Sequence, residues 1–350
     1  MPSPDARKEP RPRRDWTFGE LLDWTRGRFA EVGIDSPRLD AELLLAEAAG
    51  CARIDLYLRR DDLVDAAVRN RFRDMVRRRL AREPVAYILG RRDFHALELE
   101  LYVDANVLVP RPETELLVDW ILEDLPADAA RPPVVLDVGT GSGAIALAIG
   151  RARPDARICG IDPSEAALEV ARRNAERLDL HVEFRPGRAA DLGRLVQTWA
   201  PPDVVAANLP YVASADLEAA APELSYEPRL ALDGGPSGLD VIEELVAAVG
   251  HLDPRPDVYL EIGADQADAV TRLLRAAGYA GVDVRPDLAG RSRLVRARRA
   301  RTRDATGRGS PPAAADEEVE QHRQDDGQEQ ARRQGDVQGE PVPLEDQIPG

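Results

Sequence analysis

The chain has 350 residues, with 47 Lys and Arg against 63 Asp and Glu and a formal net charge of −16. That length builds two domains, or one large domain with an appendage, and 43% hydrophobic residues supply a sizeable core. The acidic balance excludes a bulk nucleic-acid binder, though not a protein meeting RNA through one local patch; no apolar run approaches the ~20 residues of a membrane helix. The first residues carry positive charge without the apolar stretch of a secretory signal. Cys51 and Cys159 are too few and too far apart for a disulfide scaffold or a cysteine zinc site, so a reducing cytoplasm is the expected location. His95, His181, His251 and His322 are scattered, and no metal site is expected.

Residues 1–14 are rich in Pro and Arg and read as disordered. Residues 15–84 read as a small helical domain. Thr17-Phe18-Gly19-Glu20 is a capping box followed by Leu21 and Leu22. Ser36 and Pro37 open a second helix, in which Leu39, Leu43, Leu44 and Ala48 follow at helical spacing until Gly50 stops the run. Val64, Val68, Phe72, Met75, Val76 and Leu80 carry a third helix. Its other face holds Arg69, Arg71, Arg73, Arg77, Arg78 and Arg79, a stripe that is either a solvated face or a docking surface for an acidic partner or RNA.

From 85 to 109 the helical period is lost. Phe94, Leu97, Leu99, Leu101 and Val103 alternate with polar neighbours, as in a β-hairpin linking two domains. Beyond it, helical patterns alternate with short apolar strands at 134–138, 157–161, 182–184, 204–207, 258–262, 282–284 and 294–295. This predicts an α/β, doubly wound sheet. The last stretch, 299–350, holds six arginines against twelve acidic residues after position 300, has no aromatic residue, and reads as a disordered acidic tail.

The strand at 134–138 runs into Gly139-Thr140-Gly141-Ser142-Gly143 and then a helical pattern. Glycines there let the backbone turn sharply and approach a ligand, with helix N-terminal amides aimed at it. The next strand ends in Asp162, placed to accept hydrogen bonds from ribose hydroxyls. A dinucleotide and S-adenosylmethionine both fit this loop, and the glycines alone do not choose. The strand at 204–207 then runs into Asn208-Leu209-Pro210-Tyr211. Strand C-terminal ends face the ligand crevice of an open α/β sheet, so this tetrapeptide borders the same pocket. Asn208 offers an acceptor and a donor, the Leu209 carbonyl a second acceptor, Pro210 a stiff turn and Tyr211 an aromatic face. Together they suit a planar amide or amino group held by two N–H bonds before a methyl donor, an arrangement a dehydrogenase does not use.

Five stretches in fixed order extend the reading: Glu83-Pro84-Val85-Ala86-Tyr87-Ile88-Leu89-Gly90, Val109-Pro110-Arg111-Pro112-Glu113-Thr114-Glu115, the loop within 136–149, Tyr226-Glu227-Pro228-Arg229 with Leu232-Asp233-Gly234-Gly235, and Leu260-Glu261-Ile262-Gly263. In these the chain resembles the HemK/PrmC family of protein-(glutamine-N5) methyltransferases, which modify class-one peptide-chain release factors. The resemblance spans roughly 16–297. It implies a Rossmann-like class I methyltransferase domain over 110–298, a helical substrate-docking domain over 15–84 and the hairpin linker over 85–109. It further implies that Gly139, Thr140, Gly141, Ser142 and Gly143 wrap S-adenosylmethionine, that Asp162 binds its ribose, that Asp191 and Leu192 contact its adenine, and that Asn208 touches the cofactor as well as the substrate. By the same resemblance Asn208, Leu209, Pro210 and Tyr211 hold a release-factor glutamine, with Asn208, Pro210 and Tyr211 at the chemistry and Tyr211 packed on the amide. Arg111 and Glu113 either shape the cofactor pocket or pair with each other, and Glu261 reads as a structural carboxylate. A monomer that does not touch nucleic acid or membrane is expected. Leu209 departs from the family's usual Asn-Pro-Pro-Tyr and is similar to the Asn-Leu-Pro-Tyr of ribosomal RNA adenine dimethyltransferases, so an amino-group methyltransferase acting on RNA or DNA adenine is the alternative.

Overall fold

The computed structural model describes residues 15–126 and 131–299. The expected disorder of 1–14 and of the tail from 300 onward lies outside the described residues.

The helical part begins where the capping box places it. Helix α1 (Phe18–Glu31) is capped by Thr17, whose hydroxyl accepts from the Glu20 N–H at 3.2 Å while the Glu20 carboxylate accepts from the Thr17 N–H at 3.0 Å. Helix α2 (Pro37–Ala49) starts with proline at its first position and ends at Gly50, whose φ of 64° only glycine takes without strain. A short helix α3 (Arg53–Leu58) follows that periodicity did not reveal. It buries only Leu56 and leaves Ile54 and Leu58 exposed, so no apolar face marks it in the sequence. Helix α4 (Ala66–Leu80) is capped by Asp65 and packs Val68, Phe72 and Val76 against Phe18, Phe29, Leu44 and Leu45. Val64 is buried but precedes this helix rather than opening it.

The arginine face of α4 is solvated only in part: Arg71, Arg77 and Arg78 are exposed. Arg69 and Arg79 are buried. Arg79 donates to Asp40 at 2.8 Å and to Glu223 at 3.0 Å, Arg71 to the Ala48 carbonyl at 2.7 Å, and Arg78 to Glu83 at 2.6 Å. Sequence spacing shows which residues share a face; it does not show that distant carboxylates and carbonyls come to meet them.

Helix α5 (Val85–Leu89) leads into the hairpin of β1 (Arg91–Phe94) and β2 (Leu99–Tyr102), turned by His95 and Glu98 at positive φ. The hairpin buries Phe94, Leu99 and Leu101 in the core formed by helix α6 (Pro112–Asp124) and the sheet helices. Strands β3 (Val134–Val138), β4 (Arg157–Asp162), β5 (Glu183–Pro186), β6 (Val204–Asn208), β7 (Asp257–Glu261), β8 (Gly281–Pro286) and β9 (Ser292–Arg298) form the large sheet in the order β5-β4-β3-β6-β7-β9-β8. The first five are mutually parallel, and β9 runs antiparallel to both β7 and β8. Helices α7 (Ala144–Ala152), α8 (Glu165–Leu178), α9 (Leu192–Thr198), α10 (Asp240–Gly250) and α11 (Ala267–Ala276) complete it. All five residues of β3 are buried, apolar but for Asp137, which matches a strand covered on both faces. Strand order reverses at β3, between β4 and β6, and ligands of such sheets bind at the carboxyl ends beside that point.

Candidate active site

At the carboxyl end of β3 the backbone of Gly139 to Gly143 folds back before α7. Gly139, Gly141 and Gly143 take φ of 73°, 54° and 84°, a region other residues enter only with strain. The Gly139 and Thr140 N–H groups both donate to the Ile161 carbonyl at 2.9 Å. The Thr140 hydroxyl donates to Asp137 at 2.6 Å beneath the loop. Asp162, at the end of β4, accepts from the Gly141 N–H at 3.0 Å and from the Ser164 N–H at 2.9 Å. Its carboxylate is mostly buried and its pKa is raised by that burial. Each oxygen keeps a lone pair for a further donor.

These groups line a cavity of about 310 Å³. Its walls include Gly139, Thr140, Gly141 and Ser142 of the loop, Asp162, Asn208, Leu209 and Pro210; Gly143, expected with them, is outside the lining, and a Cβ there would meet Leu147 and Ala171. The sequence reading missed two further walls. The chain at 105–108 and Pro110, after the hairpin, closes one side, and Gly187, Arg188 and Ala189 with Val241 and Glu244 close another.

Asn208 ends β6 and Glu261 ends β7, and the two are register partners in adjacent parallel strands. Thr114, in the first turn of α6, stands between them. The Asn208 Nδ2 donates to Thr114 Oγ1 at 3.1 Å, and that hydroxyl donates to Glu261 Oε2 at 2.6 Å. The Tyr211 hydroxyl donates to Glu261 Oε1 at 3.2 Å. Glu261 is 1% exposed, and burial raises its pKa. Burial also pushes the Tyr211 phenol well above its ordinary range. The glutamate read as merely structural therefore joins the group around Asn208.

Several expected positions differ. Asp191 and Leu192 do not line the cavity: Asp191 accepts from the Arg188 N–H at 2.9 Å, closing a 3-10 turn, and Leu192 is buried in the core. The wall they were expected to form is built by residues 187–189 of that turn. Tyr211 is outside the cavity lining, its hydroxyl committed to Glu261. Thr140 is buried and spends its hydroxyl on Asp137. Arg111 and Glu113 do not pair with each other: Arg111 binds Glu227 at 2.7 Å, and Glu113 lies 3.5 Å from Arg291. Leu209 is 4% exposed, and a Cβ added to Gly139 would sit 3.1 Å from its Cδ2. Its side chain packs in the core beneath the glycine loop, so its departure from proline alters packing more than the site's polar groups.

A family model described as the PrmC N-terminal domain matches residues 20–90, and a methyltransferase domain model matches residues 135–226. The release factor glutamine methyltransferase of Geobacter sulfurreducens is 39% identical over 283 residues, covering 80% of this chain and 96% of that protein. The chain belongs to the release factor glutamine methyltransferase family. Its relative in Burkholderia pseudomallei is 45% identical over 260 residues, covering 72% of this chain and 88% of that one. In Moorella thermoacetica the figures are 40% over 291 residues, 81% and 99%. The α/β fold expected from the strand pattern is that of a methyltransferase domain, and the enzyme is a methyltransferase.

Two expectations follow from this geometry. Leu209→Pro in this methyltransferase keeps the accepting carbonyl but removes buried methyl groups. Thermal unfolding should show a loss of about 1–2 kcal/mol, with methyl transfer within about threefold of the parent; a folded variant without transfer would overturn this. Asp137, fully buried with Oδ1 unpartnered, has its pKa pushed up to about 7 by burial. Because the folded-state value lies above the unfolded one near ~3.9, the folded state holds the extra proton between the two, and stability falls as pH rises across that window. Asp162, Glu227 and Glu261 shift in the same direction. Asp137→Asn should therefore flatten, without abolishing, the decline in unfolding free energy between about pH 4 and pH 7. Equal slopes in parent and variant would sink it.

Proposed function

We propose that the enzyme methylates the side-chain amide nitrogen, N5, of the glutamine in the Gly-Gly-Gln loop of class-one release factors, using S-adenosylmethionine, in support of translation termination. The observation that carries this reading is the placement of Asn208. Its Nδ2 is engaged by Thr114, which leaves Oδ1 as an acceptor, and Asn208 and Leu209, whose carbonyl would be the second acceptor, both line the cavity. Two fixed acceptors select a nitrogen carrying two N–H bonds. A glutamate side chain has none to offer, and a hydroxyl has one.

The residues present fit the cofactor: three glycines in left-handed backbone, a loop with four residues on the cavity wall, and a carboxylate there with spare acceptor capacity. Gly139 and Gly141 with Ser142 and Asp162 would hold it, with residues 187–189 at its far end. When bound, S-adenosylmethionine supplies an electrophilic methyl group. Asn208 and Leu209 draw on the two amide N–H bonds, fix the nitrogen's direction of approach and favour its lone pair over amide resonance. Gaining that methyl would cost the nitrogen one of its two N–H protons, which Asn208 Oδ1 or the Leu209 carbonyl, accepting from it, would direct toward solvent. Pro210 stiffens the turn that aims the Leu209 carbonyl, and Tyr211 braces it through Glu261. The helical domain would grip the release factor away from the chemistry.

The test is transfer of labelled methyl to purified release factor, to its Gln→Ala loop variant and to bulk ribosomal RNA in parallel. Label on the unaltered factor alone is the expected result. Label on RNA alone would replace this reading with the nucleic-acid alternative.

A further inference from the structure

An asparagine amide is nearly isosteric when turned by 180°, so shape does not choose which end faces a substrate; the hydrogen-bond partner does. At Asn208 that partner is Thr114 Oγ1, and a threonine hydroxyl has one proton to give. Glu261 Oε2 receives that proton at 2.6 Å, and Glu261 Oε1 receives a second from Tyr211 at 3.2 Å. A carboxylate accepts only. Its presence therefore commits the Thr114 hydroxyl to donate toward it and to accept from Asn208 Nδ2. Without that acceptor the hydroxyl is free to donate to Asn208 instead, turning the amide and presenting N–H groups to a substrate that itself brings N–H groups.

We propose that Glu261, acting through the Thr114 hydroxyl, is the positioning residue that fixes Asn208 with its carbonyl oxygen toward the substrate amide. This rests on the reading of Asn208 as the substrate's hydrogen-bond acceptor. The three residues come from α6 and the ends of β6 and β7, and Thr114 and Glu261 are both buried, at 3% and 1% exposure. The chain of donors is therefore shielded from water, which would otherwise satisfy either orientation. It also gives a use to a carboxylate whose burial in this strand is otherwise costly.

Three single variants test it: Thr114→Val, Thr114→Ser and Glu261→Met, with the double variant Thr114→Val/Glu261→Met. Turnover on release factor should fall by about 100-fold in Thr114→Val and Glu261→Met, with KM for the factor and the Kd of S-adenosylmethionine each within about threefold. Thr114→Ser should keep turnover within about threefold, and the double variant should be no slower than the slower single one, because the groups act in series. A turnover-independent reading comes from the side-chain NH2 resonances of Asn208, assigned through Asn208→Asp in 15N-labelled protein. The hydrogen-bonded proton should be shifted downfield in the parent and in Thr114→Ser, and should lose that shift in Thr114→Val. Unchanged resonances, or full turnover in folded Thr114→Val, would overturn the inference. A parent that labels no release factor would overturn the proposed function, while the resonances would still decide how Asn208 is held.

Discussion

Asn208→Ala is expected to lower turnover on release factor by at least about 100-fold while leaving cofactor affinity within about twofold. The two effects separate because the glycine loop and Asp162 are tied to each other, while the Asn208 side chain is tied to Thr114. Alanine removes the oxygen that accepts the substrate N–H and leaves Thr114 still bonded to Glu261. Steady-state kinetics and calorimetric titration of the cofactor together check it. Parallel loss of turnover and cofactor affinity would instead make Asn208 a support for the glycine loop.

The second large effect is on stability. Arg79 is buried between the helical part and the segment that follows the Asn-Leu-Pro-Tyr turn. Its guanidinium serves Asp40 at 2.8 Å, Glu223 at 3.0 Å and the Glu83 carbonyl at 3.3 Å. Arg82 adds a bond to Glu223 at 2.9 Å, and the Tyr226 hydroxyl reaches the Ala81 carbonyl at 2.7 Å. Arg79→Met would strip Asp40 of its cation. Burial already raises the Asp40 pKa despite that partner. A buried pair broken from one side costs roughly 3–5 kcal/mol, most of it from the stranded charge. Urea unfolding should show a midpoint lower by about 1 M or more. Arg79→Met/Asp40→Leu should recover part of the loss, since it strands one carboxylate fewer. A single variant within about 1 kcal/mol of the parent would show the cluster to be solvated in practice.

What the sequence disclosed and what it hid divide along a physical line. Strands covered on both faces carry mainly apolar runs, and β3, β4, β6 and β7 were legible for that reason. The glycine loop was legible because left-handed backbone demands glycine. Asn208 stood out because the end of an inner strand is an unusual place for an amide beside a proline turn. The partners of these groups were hidden. Glu261 meets Asn208 only through the register of β6 and β7, and Thr114 only through the docking of α6. Arg111 and Glu113, close in sequence, look past each other to Glu227 and Arg291. Helix α3 escaped notice because it buries only Leu56 and leaves Ile54 and Leu58 exposed, and residues 187–189 because no apolar period or glycine pattern marks them.

The fully buried Asn174 on α8 sets limits on how this protein can drift. Its Oδ1 accepts from the Tyr102 N–H at 2.7 Å, and its Nδ2 donates to the Tyr102 carbonyl at 3.0 Å and the Ser142 carbonyl at 2.9 Å. Three of the four bonds an asparagine can make are spent on two stretches of main chain. Aspartate would lose both donations and histidine could not span the pair, so the position tolerates little exchange. Indel tolerance along the hairpin should follow from this knot. Residues added at the tip, between His95 and Glu98, leave the knot alone. A single residue added between Tyr102 and Val107 would push the 105–108 wall into the cavity, because the chain on its upstream side has no slack to give.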